Sequence, residues 1–288
     1  MASELISRSA TELAAQLRSG AVSSVEVVTA HLDRMDDIND EVNAIVSRRE
    51  RQAVLDDAAR ADATDPQGRP LHGLPVAVKD LQNVAGLPTR AGSVVTPNLP
   101  AASDGIVGQR LRAAGAIIVG KTNVPEFGTG SHTFNEVFGV TRNPWDLSRS
   151  AGGSSGGAAA ALASRMVPIA DGSDLGGSLR NPAGFCNVVG LRPTIGLVPG
   201  AAERSTHLIR LGVEGPMGRT VADTALVLSA LAGPHPDDPL SHLAAAHDVA
   251  DPSLEAADLQ GVRIAWGGDL GLFTAERAVL DACRAALG

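Results

Sequence analysis

Three short segments of the 288-residue chain carry side chains that could do chemistry together. The run Leu74-Pro-Val-Ala-Val-Lys79-Asp80 closes on a lysine. Desolvation at the end of an apolar strand pushes an ammonium below its ordinary value of about 10.4 and leaves a neutral amine that can act as a base. Gly152-Gly-Ser-Ser-Gly-Gly157, followed by alanines, reads as a loop entering a helix, where glycine permits close backbone approach. Asp171-Gly-Ser-Asp-Leu-Gly-Gly-Ser178-Leu-Arg180 places two glycines just before a serine. Successive N–H groups there can form a concave nest for an oxyanion beside the hydroxyl. Each segment also has a plainer reading: a strand-end lysine reaching for water, or a flexible Gly/Ser turn.

Lysine usage weighs on the first segment. Of the 24 basic residues 22 are arginine, and Lys79 and Lys121 are the only lysines. Arginine keeps its proton in proteins, so a position that stays lysine is one where losing a proton near neutral pH can matter.

Two further motifs mislead. Gly115-Ala-Ile-Ile-Val-Gly120-Lys121-Thr122 fits the phosphate-loop pattern, but its middle is an apolar, β-branched strand. Pro125, four residues after the lysine, also blocks a long helix through that point. Gly153-Ser154-Ser155-Gly156-Gly157 fits the nucleophile elbow of α/β-hydrolases, with Ser155 central. An elbow needs a buried strand immediately before it, whereas Trp145 to Ala151 reads as loop, and His207, His235, His242 and His247 lie in polar stretches.

The elements that must position these residues follow from spacing. Ser9-Ala-Thr-Glu12 and Ser23-Ser-Val-Glu26 are capping boxes that precede helical apolar spacings, Leu13/Leu17 and Val27/Val28/Leu32. A charged helix is expected from Arg48 to Ala61, so that residues 1–66 form a helical segment. Beyond the polar stretch Asp62 to Arg69, apolar runs Leu74–Val78, Ala116–Val119 and Met166–Ala170 alternate with helical stretches Ile106–Ala114 and Gly156–Ser164, which predicts an α/β sheet covered by helices. Phe127 to Gly157 reads as a long loop, a feature that is often functional. A helix over Val221–Leu231, a polar segment Gly233–Pro252, a strand at Val262–Trp266 and a helix over Ala275–Leu287 complete the reading. The chain stops as that helix ends, which looks like a truncation.

Composition narrows the function classes. The net charge is −8 and the chain has no tyrosine, five Phe and two Trp, which argues against direct nucleic-acid binding. The longest apolar run, Ala158 to Ala163, is far short of a membrane span, and the first residues lack a signal layout, so a cytoplasmic location is expected. Cys186 and Cys283, without metal-ligand spacing, read as two reduced thiols.

Taken together the three segments resemble the amidase signature family. The match lies in Gly152 to Gly157, Asp174 to Arg180, Pro182-Ala183 and the upstream Gly73-Leu-Pro-Val-Ala-Val-Lys79-Asp80. It extends through Lys121-Thr-Asn, Gly139 to Trp145 and Gly190 to Thr194, from about Ser9 to Gly200. The resemblance implies an α/β fold of the amidase signature type, a mixed, mostly parallel twisted sheet with helices on both faces, formed by one catalytic domain over residues 1–288. It implies Ser178 as nucleophile, Ser154 as a bridging serine held by a cis peptide to Gly153, and Lys79 as base. An oxyanion hole would come from the N–H groups of Leu175, Gly176, Gly177 and Ser178, with Gly128, Thr129 and Gly130 lining the leaving-amine side. No metal or organic cofactor is needed for such chemistry, and the partner expected is a small-molecule amide, a homodimer being an allowed assembly. The second reading is the glutaminase component of a glutamyl-tRNA amidotransferase, from which Ser173 and Leu175 depart, since that component usually has threonines there. The third, a non-catalytic binding homologue, sits badly with an intact Lys79, Ser154 and Ser178. Family members extend well past residue 288, and the part beyond normally completes the sheet and much of the acyl pocket.

Overall fold

The computed structural model describes residues 2–200, 211–241, 260–263, 265–268, 271–272 and 274–287. The chain divides into two compact units, Met1–Ser253 and Leu254–Gly288.

The first unit begins with α1 (Ala2–Leu5), α2 (Ala10–Ser19) and α3 (Ser24–Val42). Both capping boxes form: the Ser9 and Ser23 hydroxyls accept the N–H groups of Glu12 and Glu26, whose carboxylates accept the serine N–H groups in return. Leu13 and Leu17 of α2, and Val27, Val28 and Leu32 of α3, are buried as their spacing requires. Next come β1 (Ile45–Arg48) and α4 (Arg51–Asp62). Sequence reasoning missed β1 and started the helix at Arg48. That residue instead pairs with Gly120 in an antiparallel ladder, because the apolar Ile45-Val46 finds a strand partner that local periodicity does not reveal.

The chain continues through β2 (Pro75–Lys79), α5 (Ile106–Ala113) and β3 (Ile117–Thr122). The expected loop over 127–157 contains two small hairpins, β4 (Phe134–Asn135) with β5 (Gly139–Val140) and β6 (Arg142–Asn143) with β7 (Asp146–Ser150). Then follow α6 (Gly156–Ala163), β8 (Ile169–Asp174), α7 (Arg180–Cys186), β9 (Val189–Gly190), β10 (Val213–Gly218) and α8 (Val221–Leu231).

The six-stranded sheet has the order β1-β3-β2-β8-β10-β9. Its central three strands, β3, β2 and β8, run parallel, and the flanking pairings are antiparallel. Alternation along β2 sends Val76 and Val78 into a core with α2, α5 and α8, and Ala77 into a second core with α3, α4 and α6. Helices therefore cover both faces. Helix α6 is buried nearly throughout and built of glycine, alanine and leucine, which lets its backbone approach the strands. At Gly157 an added Cβ would lie 2.3 Å from the Asn123 nitrogen and 2.7 Å from the carbonyl oxygens of Ala44 and Asn123.

In the second unit α9 (Arg277–Ala285) forms, with no buried residue among those described. The strand expected at Val262–Trp266 is absent over Val262, Arg263, Ala265 and Trp266, while Ile264 lies outside the described residues. Val262 and Trp266 are exposed. With no partner strand in the described part of this unit, β-propensity alone has nothing to pair with. Of the polar segment Gly233–Pro252, residues from 242 onward also lie outside the described residues. No helix among the described residues is long and apolar enough to cross a membrane.

Candidate active site

The site is assembled where the parallel strands end and α6 begins. Lys79 is the last residue of β2 and is fully buried. Its backbone N–H donates to Asp171 Oδ1 at 2.8 Å, which ties the strand end to β8. Its Nζ lies 2.8 Å from the hydroxyl oxygens of three serines, Ser154, Ser155 and Ser173. The Gly153–Ser154 peptide is cis, as the resemblance implied. Gly153 leaves no room for a side chain there, since a Cβ would stand 2.9 Å from the His132 nitrogen.

Burial pushes the Lys79 ammonium down to about 8, against the attraction of Glu214, Asp171 and Asp174. Asp171 is itself pushed up to about 6 by burial, opposed by the Lys79 N–H and the charges of Lys79 and Lys121. The same apolar surroundings thus move both groups toward their neutral forms.

The three hydroxyls around Nζ are not equivalent. Ser155 Oγ donates to the Ser173 carbonyl and accepts the Ser173 N–H, both at 3.3 Å. Its proton is committed, so toward Lys79 it can only accept. Ser154 Oγ has no hydrogen bond besides that to Lys79 among the described residues. Its proton is free to turn either to a neutral amine or away from it.

Ser178 is half-buried, and its carbonyl accepts the Ser155 N–H at 3.2 Å, which fastens it to the segment carrying Ser154. Its Oγ makes no hydrogen bond among the described residues, so the Ser154–Ser178 link of the implied relay is open in this structure. Catalytic hydrogen bonds are often long in the absence of substrate.

The segment between Asp174 and Ser178 is held from below. Asp174 Oδ1 accepts the Gly177 N–H at 2.8 Å and Oδ2 that of Leu179 at 3.1 Å, while Arg180 and Arg192 pair with the carboxylate. Although burial pushes Asp174 up, these donors, Arg180 foremost, keep it well below the usual carboxylate range. Of the four N–H groups expected to form the oxyanion hole, that of Gly177 is therefore taken by Asp174. Those of Gly176 and Ser178 carry no hydrogen bond among the described residues. Leu175 projects its side chain into solvent, 67% exposed, and Gly176 is exposed as well. Gly177 has φ 114°, a backbone shape that favours glycine.

On the other side, a Cβ on Gly128 would come within 3.6 Å of Ser154 Oγ and 2.7 Å of the Leu81 side chain. Thr129 and Gly130 line an adjoining cleft of about 460 Å³, together with Glu126, His132, Phe134 and Glu136. Lys121, the other lysine, is fully buried and pairs with Asp80 at 3.2 Å, with Thr89 Oγ1 also at 3.2 Å. It sits in strand β3. The phosphate-loop lookalike is accordingly a strand with an internal ion pair, and the elbow lookalike, Ser155, faces a lysine. No cluster of His, Cys, Asp or Glu suited to hold a metal ion exists among the described residues.

Sequence reasoning did not assign Ser155 or Ser173 a contact with Lys79. Adjacency to Ser154 was a signal for the first. For the second nothing local was available, because it arises from the meeting of β2 with β8.

The family description "Amidase" matches residues 26–288. The acylamidase of Rhodococcus erythropolis is 43% identical over 282 residues, covering 97% of this chain and 58% of that protein. The A component of the glutamyl-tRNA(Gln) amidotransferase of Nocardia farcinica is 43% identical over 270 residues, covering 91% and 54%. Among solved structures, the native peptide amidase from Stenotrophomonas maltophilia superposes with a TM-score of 0.76 at 34% identity, covering 84% of this chain and 51% of that one. The chain thus spans a little over half the length of these relatives.

Proposed function

Since the chain belongs to the amidase signature family, we propose that it serves amide hydrolysis through an acyl-serine intermediate on Ser178. The observation that carries this reading is the buried Lys79 Nζ, 2.8 Å from Ser154 Oγ.

The chemistry follows from which protons are free. A neutral Lys79 has two N–H donors and one lone pair. One N–H is claimed by Ser155, whose own proton is committed, and the other can go to Ser173, which leaves the lone pair to take the Ser154 proton while Ser154 takes that of Ser178. The Ser178 oxygen then bonds to the amide carbon, and the carbonyl oxygen gains a negative charge to which the N–H groups of Gly176 and Ser178 are free to donate hydrogen bonds. As the carbon–nitrogen bond breaks, the amine recovers a proton from Lys79 by way of Ser154. Water attacks the Ser178 ester along the same proton path in reverse and releases the carboxylate. The test is turnover of simple aryl and alkyl amides by the purified protein. Activity that vanishes in Ser178→Ala supports the reading, and equal activity in that variant removes it.

A second reading, an ammonia-supplying component of a larger complex that works on glutamine, draws on relatives that carry the amidotransferase name at 43% identity. Ser173 and Leu175 lean against it. Glutaminase activity that appears only in the presence of partner proteins would favour it over a stand-alone amidase.

A further inference from the structure

The antiparallel register of β8 and β10 sets Glu214 directly across from Ser173. Directly opposed residues carry their side chains on one side of the sheet, with Cβ atoms about 4.5 to 5.5 Å apart. Ser173 Oγ is one of the three hydroxyls 2.8 Å from Lys79 Nζ. Glu214, half-buried on the strand beyond β8, therefore faces a residue whose hydroxyl touches the amine.

We propose that Glu214 is a positioning residue of the amide-cleaving site, its carboxylate stabilising the charged form of Lys79 at rest and again when the amine has taken up the proton of Ser178. The inference rests on the reading of Lys79 as the base. Its physical content is that proton transfer to Lys79 creates a cation at a fully buried amine, where a nearby carboxylate acts through a lower dielectric than water.

Other charged groups also lie around Lys79. From β8, Asp171 accepts the Lys79 backbone N–H, and Asp174 is held by Arg180 and Arg192. From β3, Lys121 is paired with Asp80. The segment leading into α6 offers only the hydroxyls of Ser154 and Ser155. Of the carboxylates that act on Lys79, Glu214 exerts the strongest pull toward the ammonium, ahead of Asp171 and Asp174.

The chain has two lysines, which makes a direct test available. Protein grown with lysine carbon-labelled at Cε gives two NMR signals, and Lys79→Met assigns them. In Glu214→Gln the midpoint of the Lys79 signal should move to lower pH by about one unit, the low end of the range for loss of a nearby opposite charge. Glu214→Met, which removes the charge through a different side chain, should give the same displacement, so the test survives if one variant does not fold. The Lys121 signal should move less than that of Lys79 in both. An unmoved or raised Lys79 midpoint in a folded variant overturns the inference. The readout needs no turnover, so the absence of amidase activity would sink the functional reading without being mistaken for failure of this one.

Discussion

The proposed role of Lys79 as base makes the expected rate of Ser178 acylation a function of pH that can be worked out beforehand. With the amine titrating at about 8, the neutral fraction is roughly one part in a hundred at pH 6, one in ten at pH 7, a half at pH 8 and nine-tenths at pH 9. At pH 7 the free-energy cost of providing the base is on the order of 1 kcal/mol. kcat/KM for an uncharged amide should therefore rise about tenfold per pH unit below the midpoint and level off above it. The same ionisation leaves a mark on stability. A cation whose folded value is depressed from 10.5 to about 8 binds fewer protons in the folded than in the unfolded chain between those values, so the unfolding free energy rises with pH across that window. Below pH 8 the penalty is fully present and amounts to about 3 kcal/mol. Urea titrations of the parent protein and Lys79→Met at pH 7.5 and pH 10.5 isolate it: the stability advantage of the variant should shrink by about that amount at the higher pH. A kcat/KM flat from pH 6 to pH 9, with an unchanged difference between the two proteins, would refute the reasoning.

Other expected outcomes follow from packing and exposure. Gly157→Ala forces a methyl to within 2.3 Å of the Asn123 backbone, so α6 must shift from β3, and thermal or urea melts should show a loss of about 1 to 3 kcal/mol. Asp174→Asn removes the partner of Arg180 and Arg192 and weakens the hold on the Ser178 segment; melts should show destabilisation at pH 7 that narrows as pH falls below about 4, where the carboxylate of the unfolded chain takes up a proton while the folded one still keeps its charge. Thiol titration with a chromogenic disulfide should find one fast-reacting group, the exposed Cys283. Cys186, buried and pushed up to about 12 by that burial, should react only after denaturant is added.

Much of the architecture was legible because it is written locally. The capping serines of α2 and α3, the β-branched run of β3 and the apolar periodicity of α8 specify their elements within a dozen residues. β1 was not legible, since four residues become a strand only by pairing with β3. The strand expected at Val262–Trp266 failed for the converse reason, a suitable composition without a partner in the described residues. At the site, the scarcity of lysine pointed to Lys79 and the paired glycines to Ser178, while Ser154 was named only through the family resemblance, and the fold brings Lys79 to Ser154. What spacing could not provide is the environment. The acceptor role of Ser155, the capture of the Gly177 N–H by Asp174 and the place of Glu214 opposite Ser173 all arise from contacts between strands and loops distant in the chain.

The central claim is that Ser178 is a nucleophile driven by Lys79 through Ser154, and covalent labelling with a fluorophosphonate followed by peptide mapping tests it most directly. The account predicts an adduct on the Ser178 hydroxyl, formed at least a hundredfold more slowly in folded Lys79→Met and Ser154→Ala proteins, in line with the roughly 10²- to 10⁴-fold worth of a positioned base. An adduct on another residue, or one on Ser178 that forms equally fast without Lys79, would contradict it.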